Sequence, residues 1–409
     1  MVAPDLAALG QAATRVVKGG AANVPLGYAG VMSIRPTAYE FFAGGGLAGL
    51  GLSGGDATGF RTIFANDLDA MKARTFRANH PDVAFRQGDV WDLRAADLPA
   101  RPDLCWASSP CQDVSLAGAR GGLEARRSGA FWGFWRLMQA LDDEQRAPPI
   151  IVLENVSGLL TSGGGRDFAA VCAAMVEAGY QVGALEMDAA LWLPQSRPRL
   201  FVVAMRIPAT VEGGPVAPFH SARLIAAHAR LPHPVRQRWA WWSLPSPPAR
   251  NIDLAAVLEP DHAVEWFDAG KAEALLALTG PLHRARLDAM RGEPGRRIGA
   301  AYRRVRTENG KKVQRLEIRF DGVAGCLRTP AGGSSRQYVV VCEGGDVRVR
   351  RLTGRESARL MGVADDYRLP SSESAALKLT GDAVAVPVVR ALAQGLLLPA
   401  LAGARSIAA

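Results

Sequence analysis

A cysteine, a glutamate and two arginines interrupt otherwise apolar segments, and together they could carry out covalent chemistry on a planar heterocycle. Cys111 lies in SSPCQ, and Glu154 lies near the end of the apolar run IIVLENV. In LWLPQSRPRLFVVA, Gln195, Arg197 and Arg199 alternate, so one continuous strand would direct all three side chains to the same face. Charged groups in a core strand are costly unless they are paired. A glutamate–arginine pair beside a reactive thiol could bind and polarise a ring.

Each of these residues also has a structural interpretation. A lone cysteine is more often a small buried apolar residue than a nucleophile, and an ion pair between Glu154 and an arginine can serve the core alone. The proline before Cys111 restricts the backbone there. The segment SLAGARGG, at 115 to 122, has the small residues of a loop that could close over a substrate. The residues by themselves leave both interpretations open.

A glycine-rich turn and two aspartates form a second group of candidate residues. EFFAGGGLAGLGL places Gly44, Gly45 and Gly46 after a predicted strand, where glycines permit a tight turn and the next helix offers unpaired N–H groups to a ligand. Asp67 and Asp89 follow the next two predicted strands and could accept hydrogen bonds from ribose hydroxyls or an adenine amino group. Each aspartate could equally cap the helix that follows it, and the glycine turn alone could serve packing.

The elements that position these residues alternate between strands and helices from residue 37 to residue 205. Six segments have the β-branched and aromatic residues of strands: AYEFFAG, RTIFAND, DLCWASS, IIVLENV, YQVGALEMD and RLFVVAM. Three segments between them have helical apolar spacing: LDAMKARTFRANH, FWGFWRLMQALDDEQ and DFAAVCAAMVEAG. This alternation predicts an α/β domain with a mostly parallel sheet, in which ligands bind beyond the carboxyl ends of the strands.

Beyond residue 205 the pattern changes, which predicts a smaller second domain. Residues 207 to 325 are rich in Pro, Trp and Arg, and their strand and helix signals are irregular. The later segment LKLTGDAVAVPVVRALAQGLLLP predicts an apolar helix with Gly381 and Asp382 at its start. Its hydrophobicity indicates that it docks on the first domain.

Charge and cysteine usage restrict the class of protein. The chain of 409 residues has a net charge of +9, and residues 284 to 319 contain twelve Arg and Lys against four acidic residues. This segment is either a solvated surface or a phosphate-binding patch. The five cysteines form no CxxC pair and no zinc-finger spacing, so neither a disulfide framework nor a metal site is predicted. The apolar runs are too short to predict a membrane span, and the first residues lack a secretion signal, so a cytoplasmic location is expected.

Six motifs, in their order along the chain, resemble those of the bacterial-type DNA (cytosine-5)-methyltransferase family. They are FAGGG at 42 to 46, PCQ at 110 to 112, ENV at 154 to 156, QSRPR at 195 to 199, RLTGRESARLMG at 351 to 362 and GDAVAVPV at 381 to 388. The resemblance implies a Rossmann-like methyltransferase domain that binds S-adenosylmethionine, and a smaller irregular target-recognition domain that binds double-stranded DNA. It implies an extension at 1–36, a catalytic domain at 37–206 that is completed by 373–409, and target recognition by 207–372.

The resemblance also implies a role for each candidate residue at the reacting base. Cys111 would add to C6 of a cytosine and so activate C5 for methyl transfer. Glu154 would bind N3 and the exocyclic amine, where charge develops. Arg197 would bind the O2 side of the ring, and Arg199 would hold Glu154 and the loop in place. Gln195, from the same motif, completes the catalytic set.

The cofactor-binding residues of the family match a further set of positions. They are Phe42, Ala43, Gly44, Gly45, Gly46, Asp67, Leu68, Asp89, Val90, Pro110, Phe131, Asp382 and Val384. Two of them depart from the family pattern, because Leu68 replaces a large aromatic residue and Asp382 replaces an asparagine. Asp382 would change the polarity at the edge of the cofactor.

The resemblance places DNA against the basic segment and the loop that follows the cysteine. The target base would be flipped out of the duplex, and Gln112 and Ser115 would fill the vacated space. Arg303, Arg304 and Arg306 are predicted to contact phosphates. The protein is expected to act as a monomer near the nucleoid. No obligate protein partner is expected, and the resemblance allows for a cognate restriction endonuclease. Two alternatives stay open: a tRNA cytosine methyltransferase of similar fold, and an inactive DNA-binding relative.

Overall fold

The computed structural model describes residues 35–55, 58–110, 129–329 and 336–408. Cys111, Gln112 and Ser115, which the sequence motifs select, lie outside these described residues. The other predicted site residues lie within them.

A seven-stranded sheet forms the centre of the fold. Its strands in chain order are β1 (Thr37–Phe41), β2 (Arg61–Asp67), β3 (Ala84–Gln87), β4 (Leu104–Ser108), β5 (Ile150–Asn155), β6 (Gln181–Asp188) and β7 (Pro198–Met205). Their order across the sheet is β3-β2-β1-β4-β5-β7-β6. Strands β1 to β5 run parallel, and β7 runs antiparallel to both of its neighbours. The predicted α/β class with a mostly parallel sheet is confirmed.

Helices cover both faces of this sheet, because successive residues of each strand point to opposite sides. In β5, Ile150 and Val152 belong to one core, whereas Ile151 and Leu153 belong to the other. The first core also contains residues of α1 (Leu47–Leu52). The second core contains residues of α3 (Ala130–Asp143) and α4 (Arg166–Glu177). Helix α2 (Ala70–Asn79) lies between α1 and α3 in the chain. The three helices predicted from apolar spacing correspond to α2, α3 and α4. Burial on both sides explains why the strands are continuous apolar runs.

The segment after β7 extends the core at the β6 edge of the sheet. It contains β8 (Val211–Glu212), α5 (Ala222–His228), α6 (His233–Gln237) and β9 (Trp241–Trp242). Trp242 is fully buried, and its indole N–H donates to the carbonyl of Val203 at 3.1 Å. Gly183 makes this approach possible, because a Cβ there would lie 2.0 Å from the carbonyl oxygen of Ala240. This tryptophan therefore packs the fold.

A second, antiparallel sheet follows α7 (Ala269–Leu276) and α8 (Pro281–Gly292). Its strands are β10 (Arg297–Glu308), β11 (Lys311–Arg319), β12 (Gln337–Glu343) and β13 (Asp346–Arg351), in the order β11-β10-β12-β13. Leu316 and Ile318 pack against Leu287 of α8 on one face. On the other face, Ala300 and Val339 join the core that contains α1. The sheet is thus fixed between α8 and the central domain.

The chain ends in four helices that pack beside α1. They are α9 (Gly354–Arg359), α10 (Glu373–Asp382), α11 (Val386–Leu392) and α12 (Leu398–Ala408), and a π-helical turn joins the last two. Val389 of α11 lies so close to Gly51 of α1 that a Cβ on the glycine would come within 2.5 Å of it. Gly381 and Asp382 end α10, so the prediction that they start the apolar helix is wrong.

Residues Glu373–Ile407 are the one stretch of the described chain that is long and apolar enough to cross a membrane by length and composition. The expectation from sequence that every apolar run is too short does not hold on that criterion. The helix is interrupted between Asp382 and Val386, and 61% of its most apolar window is buried within the protein. Its apolar side chains therefore serve the core that contains α1.

Candidate active site

A cavity of about 680 Å³ opens at the carboxyl ends of the parallel strands. Its wall includes the turn after β1, the ends of β2 and β5, and the segments that follow β3 and β4. The strand order reverses direction at β1, which lies between β2 and β4. In open α/β sheets such a reversal leaves a crevice between the flanking connections, and ligands bind there.

The glycine-rich turn contributes one of its three glycines to the cavity. Gly44 has a φ of +58°, and a Cβ built on it would meet nothing within 4 Å, so a ligand can approach the backbone closely. Gly45 faces the protein instead, since its carbonyl accepts the Tyr367 hydroxyl at 2.7 Å. Gly46 packs on His80. Gly45 and Gly46 shape the turn, and neither lines the cavity.

Asp67 and Asp89 both lie on the cavity wall, and each also has a structural role. Asp67 accepts the N–H of Gly44 on Oδ2 and the N–H of Asp69 on Oδ1, each at 2.8 Å. Asp89 accepts the N–H of Trp91 at 3.0 Å and so caps a short 3₁₀ turn. A carboxylate oxygen that accepts one hydrogen bond keeps a lone pair for another donor. Capping and ligand binding are therefore compatible at these two positions.

Most of the predicted cofactor positions line this one cavity. They are Phe42, Ala43, Gly44, Asp67, Leu68, Asp89, Val90, Pro110, Asp382 and Val384. Phe131 does not, because it is fully buried and stacks on Trp135 with a centroid distance of 6.2 Å. The preceding residue, Ala130, lines the cavity instead. Helical periodicity turns Phe131 toward the sheet.

Two asparagines that were not among the predicted site residues hold the cavity wall in place. Asn66 donates from Nδ2 to the carbonyls of Arg86 and Gly88 at 2.9 and 3.0 Å, which fixes the chain after β3. Asn155 donates from Nδ2 to the carbonyl of Ser109 at 3.1 Å, which fixes the chain after β4. Both asparagines line the cavity. Their signal in the sequence is an amide residue at the end of an apolar strand.

Glu154 and Arg199 form an ion pair on the cavity wall. Nε of Arg199 lies 3.1 Å from Oε1 of Glu154, and both side chains are largely buried. Glu154 pairs in register with Ser108 of β4, two residues before Pro110, which also lines the cavity. The predicted contact between Arg199 and Glu154 is present. Cys111, the residue after Pro110, lies outside the described residues.

Arg197 is placed differently from its predicted role beside a pyrimidine. It is 1% exposed and does not line the cavity. Its Nη1 donates to the carbonyl of Leu327 at 2.8 Å, and its Nη2 donates to the carbonyls of Gly381 and Ala383. Burial, together with the charge of Arg199, lowers the pKa of the Arg197 guanidinium to about 10, which leaves it charged at neutral pH. Arg197 thus holds the cavity wall from behind.

Gln195 has a similar supporting position. It is fully buried, donates to the carbonyl of Leu360 at 2.7 Å and accepts the N–H of Leu327 at 3.2 Å. The strand β7 begins at Pro198, so Gln195 and Arg197 precede it and do not share one strand face with Arg199. The prediction of three side chains on one strand face is wrong for that reason.

Asp382 forms an ion pair with Lys72 of α2 at 2.8 Å, and both residues line the cavity. A carboxylate at the C-terminus of a helix is disfavoured by the helix dipole, and Lys72 compensates for it. A second pair, between Lys378 and Asp69 at 2.5 Å, joins the same two helices. Lys72 and Asp69 also line the cavity, although no sequence motif selected them. Asp382, which replaces the asparagine of the family pattern, is therefore paired with a lysine that also lines the cavity.

Arg304 and Arg306, two of the three arginines predicted to contact DNA, lie on one face of β10. Both are about half exposed and are near Glu317 of β11. Arg303 points to the opposite face of the strand, as neighbouring strand residues must; its Nη1 donates to Gln314 at 3.4 Å. The three arginines are therefore not equivalent.

A buried glutamate in β1 gives a prediction for stability. Glu40 is 1% exposed, and burial raises its pKa to about 8, although hydrogen bonds from the Gly49 and Ala48 N–H groups oppose the rise. Between the ordinary carboxyl pKa and about 8, the folded state holds a proton that the unfolded state has lost. Stability that is present at low pH is thus lost as the pH rises through this window.

Glu40→Gln should remove this pH dependence, because an amide does not ionise. We expect the free energy of unfolding of the wild type to fall, relative to that of the variant, by on the order of 4 kcal/mol from acidic to alkaline pH. Urea denaturation of both proteins at pH 5 and at pH above 8 measures the difference. A parallel loss of stability in both proteins would contradict the assignment.

These features define an α/β protein with a cavity at the switch point of its sheet and a glutamate–arginine ion pair on the cavity wall. The sequence model of the C-5 cytosine-specific DNA methylase family matches residues 37–247 and 282–397. The chain belongs to this family and is a DNA cytosine-5-methyltransferase.

Similar proteins agree with this assignment. Type II methyltransferase M.NgoBI of Neisseria gonorrhoeae is 28% identical over 361 residues, which cover 87% of this chain and 92% of that protein. Type II methyltransferase M.HaeII of Haemophilus aegyptius is 26% identical over 357 residues, which cover 87% and 90%.

Solved structures share the fold. The Dnmt2 methyltransferase of S. pombe aligns with a TM-score of 0.54 at 16% identity, over 88% of this chain and 96% of that one. The Entamoeba histolytica methyltransferase EhMeth aligns with a TM-score of 0.56 at 12% identity, over 89% and 98%.

Proposed function

We propose that this enzyme transfers a methyl group from S-adenosylmethionine to C5 of a cytosine that is flipped out of a specific duplex DNA sequence. The reaction passes through a covalent bond between Cys111 and C6 of the base. The observation that carries the proposal is that the Glu154–Arg199 pair lines the same cavity as Asp67, Asp89 and the residue before the cysteine. A base-binding pair and a nucleotide-binding wall thus share one space.

The cavity fits S-adenosylmethionine by the chemistry of its wall. Asp67 and Asp89 offer carboxylate oxygens to ribose hydroxyls and to an adenine amine, and the open space above Gly44 admits a ligand against the backbone. Lys72 and Asp382 offer opposite charges to an amino acid group that carries both. When bound, the cofactor supplies an electrophilic methyl group.

Three side chains act on the cytosine: Cys111 is the nucleophile, and Glu154 and Arg199 bind the ring. The Cys111 thiolate forms a bond to C6, and the C5–C6 double-bond electrons move into the ring, so that C5 becomes nucleophilic. Glu154 binds N3 and the exocyclic amine, where charge develops, and Arg199 donates to O2; we assign this contact to Arg199 because Arg197 faces backbone carbonyls. After C5 has gained the methyl group, a base removes the C5 proton, the double bond re-forms and the thiolate leaves.

The division of the chain follows the same proposal. Residues 37–206 and 373–409 form the catalytic part, residues 207–372 recognise the target, and residues 1–36 are an extension. The antiparallel sheet of β10 to β13 lies within the recognition part. Double-stranded DNA is the macromolecular substrate of a monomeric enzyme in the bacterial cytoplasm, at the nucleoid. A cognate restriction endonuclease would make it one half of a restriction–modification pair, and without one it is an orphan methyltransferase.

Methyl transfer to defined nucleic acids tests this proposal. Purified protein is incubated with S-adenosylmethionine labelled in the methyl group and with unmethylated duplex DNA or tRNA, and the position of 5-methylcytosine is read by bisulfite sequencing. We expect label in duplex DNA at one cytosine of one short sequence. DNA that the enzyme has already methylated is the matched control and should take no label. Label in tRNA alone would overturn the duplex substrate, and no label in either would indicate an inactive relative.

A further inference from the structure

The strands β10 and β11 extend beyond the rest of the antiparallel sheet as a hairpin. The pairing of β10 with β12 ends at Tyr302, whereas its pairing with β11 continues to Glu308. Residues 304–312 are exposed. Among the described residues, no strand other than β10 and β11 pairs with this part of the hairpin, so its side chains can meet a partner on both faces.

One face of the hairpin continues toward the active-site wall. Ala300, Tyr302, Arg304 and Arg306 share this face, and Ala300 belongs to the core that contains the central sheet. Tyr302 packs near Gly325, where an added Cβ would lie 3.3 Å from its Cδ1. The residue after Gly325, Cys326, contacts the buried Arg197 behind the cavity. The Sγ atom of Cys326 lies 3.6 Å from Nη1 of Arg197.

A buried carboxylate organises this face. Glu317 lies opposite Tyr302 in register and accepts its hydroxyl at 2.8 Å. It also accepts Nε of Arg306 at 2.6 Å, and Nη1 of Arg304 lies 3.9 Å from it. Burial raises the pKa of Glu317, but the hydrogen bonds from Tyr302 and Arg306 outweigh burial and hold it below the usual value. The side chain of Glu317 is 10% exposed, whereas those of Arg304 and Arg306 are 52% and 49% exposed.

This arrangement does not suit a surface that binds phosphates alone. A carboxylate among the arginines weakens the attraction for phosphate, which is the main source of affinity for any DNA sequence. Flexible, exposed cations serve that purpose better, and Lys311 and Lys312 supply them at the hairpin tip. A fixed arginine is useful where direction matters, because a held guanidinium loses less entropy on binding and offers two parallel donors.

Arg306 keeps such a pair of donors after binding Glu317. Nε and Nη2 both approach Oε1 of the carboxylate. Nη1 and the second N–H of Nη2 remain on the outer edge of the guanidinium. Two adjacent donors match N7 and O6 of guanine in the major groove, which is the commonest specific contact of arginine with DNA.

We propose that Arg306 reads a guanine of the methylation target through N7 and O6, with Arg304 beside it, and that Glu317 is the residue that positions Arg306. The proposal rests on duplex DNA being the substrate, as proposed above. It assigns direct base reading to one face of the hairpin and phosphate binding to its tip.

The test measures target preference, defined as the dissociation constant for a scrambled duplex divided by that for the target duplex. The target is the sequence found by bisulfite sequencing, and the full-length protein is used throughout. Arg306→Ala should lower the preference about 10- to 100-fold, the scale of one bidentate base contact. Replacing the contacted guanine with 7-deazaguanine, which lacks the N7 acceptor, should lower wild-type affinity but cause little further loss in Arg306→Ala.

Glu317→Gln separates positioning from charge. It should lower the preference about tenfold, because Arg306 keeps its charge but loses its fixed direction. Glu308→Gln is the matched control, since Glu308 pairs with Arg315 on the same face but is exposed. It removes the same charge and should leave the preference unchanged. Arg306→Lys, which keeps the charge without the fork, should behave like Arg306→Ala.

The outcomes that overturn the proposal differ from those that overturn the proposed function. If the wild type methylates no duplex DNA, both fail. If it does, but Arg306→Ala weakens target and scrambled duplexes equally, Arg306 is a phosphate contact and the inference fails alone. An unchanged preference in Glu317→Gln refutes the positioning role. Thermal unfolding shows whether Glu317→Gln is folded. The Arg306 variants test the contact with guanine independently of Glu317→Gln, because the Arg306 side chain is half exposed.

Discussion

Cys111→Ala is expected to abolish methyl transfer while leaving cofactor binding nearly unchanged. The alanine cannot form the bond to C6, and without that bond C5 of cytosine is too weak a nucleophile. The loss should be about 10⁴-fold or more, the scale on which removing a catalytic nucleophile acts. The cavity residues that we propose to bind the cofactor, such as Asp67 and Asp89, are untouched by the change. Methyl transfer and binding of S-adenosylhomocysteine by calorimetry measure the two effects separately.

Cys326→Ala is the matched control for this prediction. Cys326 lies beside the supporting arginine of the site, with its Sγ 3.6 Å from Nη1 of Arg197, and it is partly exposed. Its loss should leave turnover close to that of the wild type. A duplex with 5-fluorocytosine at the target should stay covalently bound to the wild type and to Cys326→Ala, because fluorine cannot leave as a proton does. A bound duplex in Cys111→Ala would place the nucleophile elsewhere.

The sequence predicted the parts of the site that follow from strand ends. Asp67, Asp89 and Glu154 each interrupt or follow an apolar run, and parallel strands bring their carboxyl ends to one edge of the sheet. The alternation of strands and helices was sufficient to predict the fold class. The same rule could have selected Asn66 and Asn155, which also end strands and line the cavity.

The sequence could not predict contacts between residues that are far apart in the chain. Arg197 binds carbonyls of Leu327 and Gly381, which lie 130 and 184 residues away, so no local pattern separates it from Arg199. Strand alternation failed there because β7 begins only at Pro198. The hairpin of β10 and β11 was missed for another reason. Its exposed half carries charged residues on both faces, so it lacks the apolar alternation by which strands are identified.

Replacing Arg197 or Arg199 with methionine should distinguish the arginine that stabilises the fold from the arginine that takes part in catalysis. Arg197→Met leaves the buried carbonyls of Leu327 and Gly381, and the partly buried carbonyl of Ala383, without this donor. An unsatisfied buried acceptor costs about 1 to 3 kcal/mol, so the protein should lose at least about 3 kcal/mol of stability. Because two of these carbonyls belong to the wall beside Asp382, cofactor affinity should fall as well. Urea denaturation and calorimetric binding measure these losses.

Arg199→Met removes a guanidinium that faces the cavity and donates to one local carbonyl, that of Pro198. Glu154, its partner, lines the same cavity, where water can solvate it, so the loss of stability should be smaller than in Arg197→Met. Turnover at saturating cofactor and DNA should fall about 100-fold or more, because the donor to the ring oxygen is lost. The reverse pattern, with a stable but slow Arg197→Met and an unstable but active Arg199→Met, would return the ring contact to Arg197. The two residues are separated by one proline, yet the carbonyls that surround Arg197 and the open cavity beside Arg199 give them opposite expected roles.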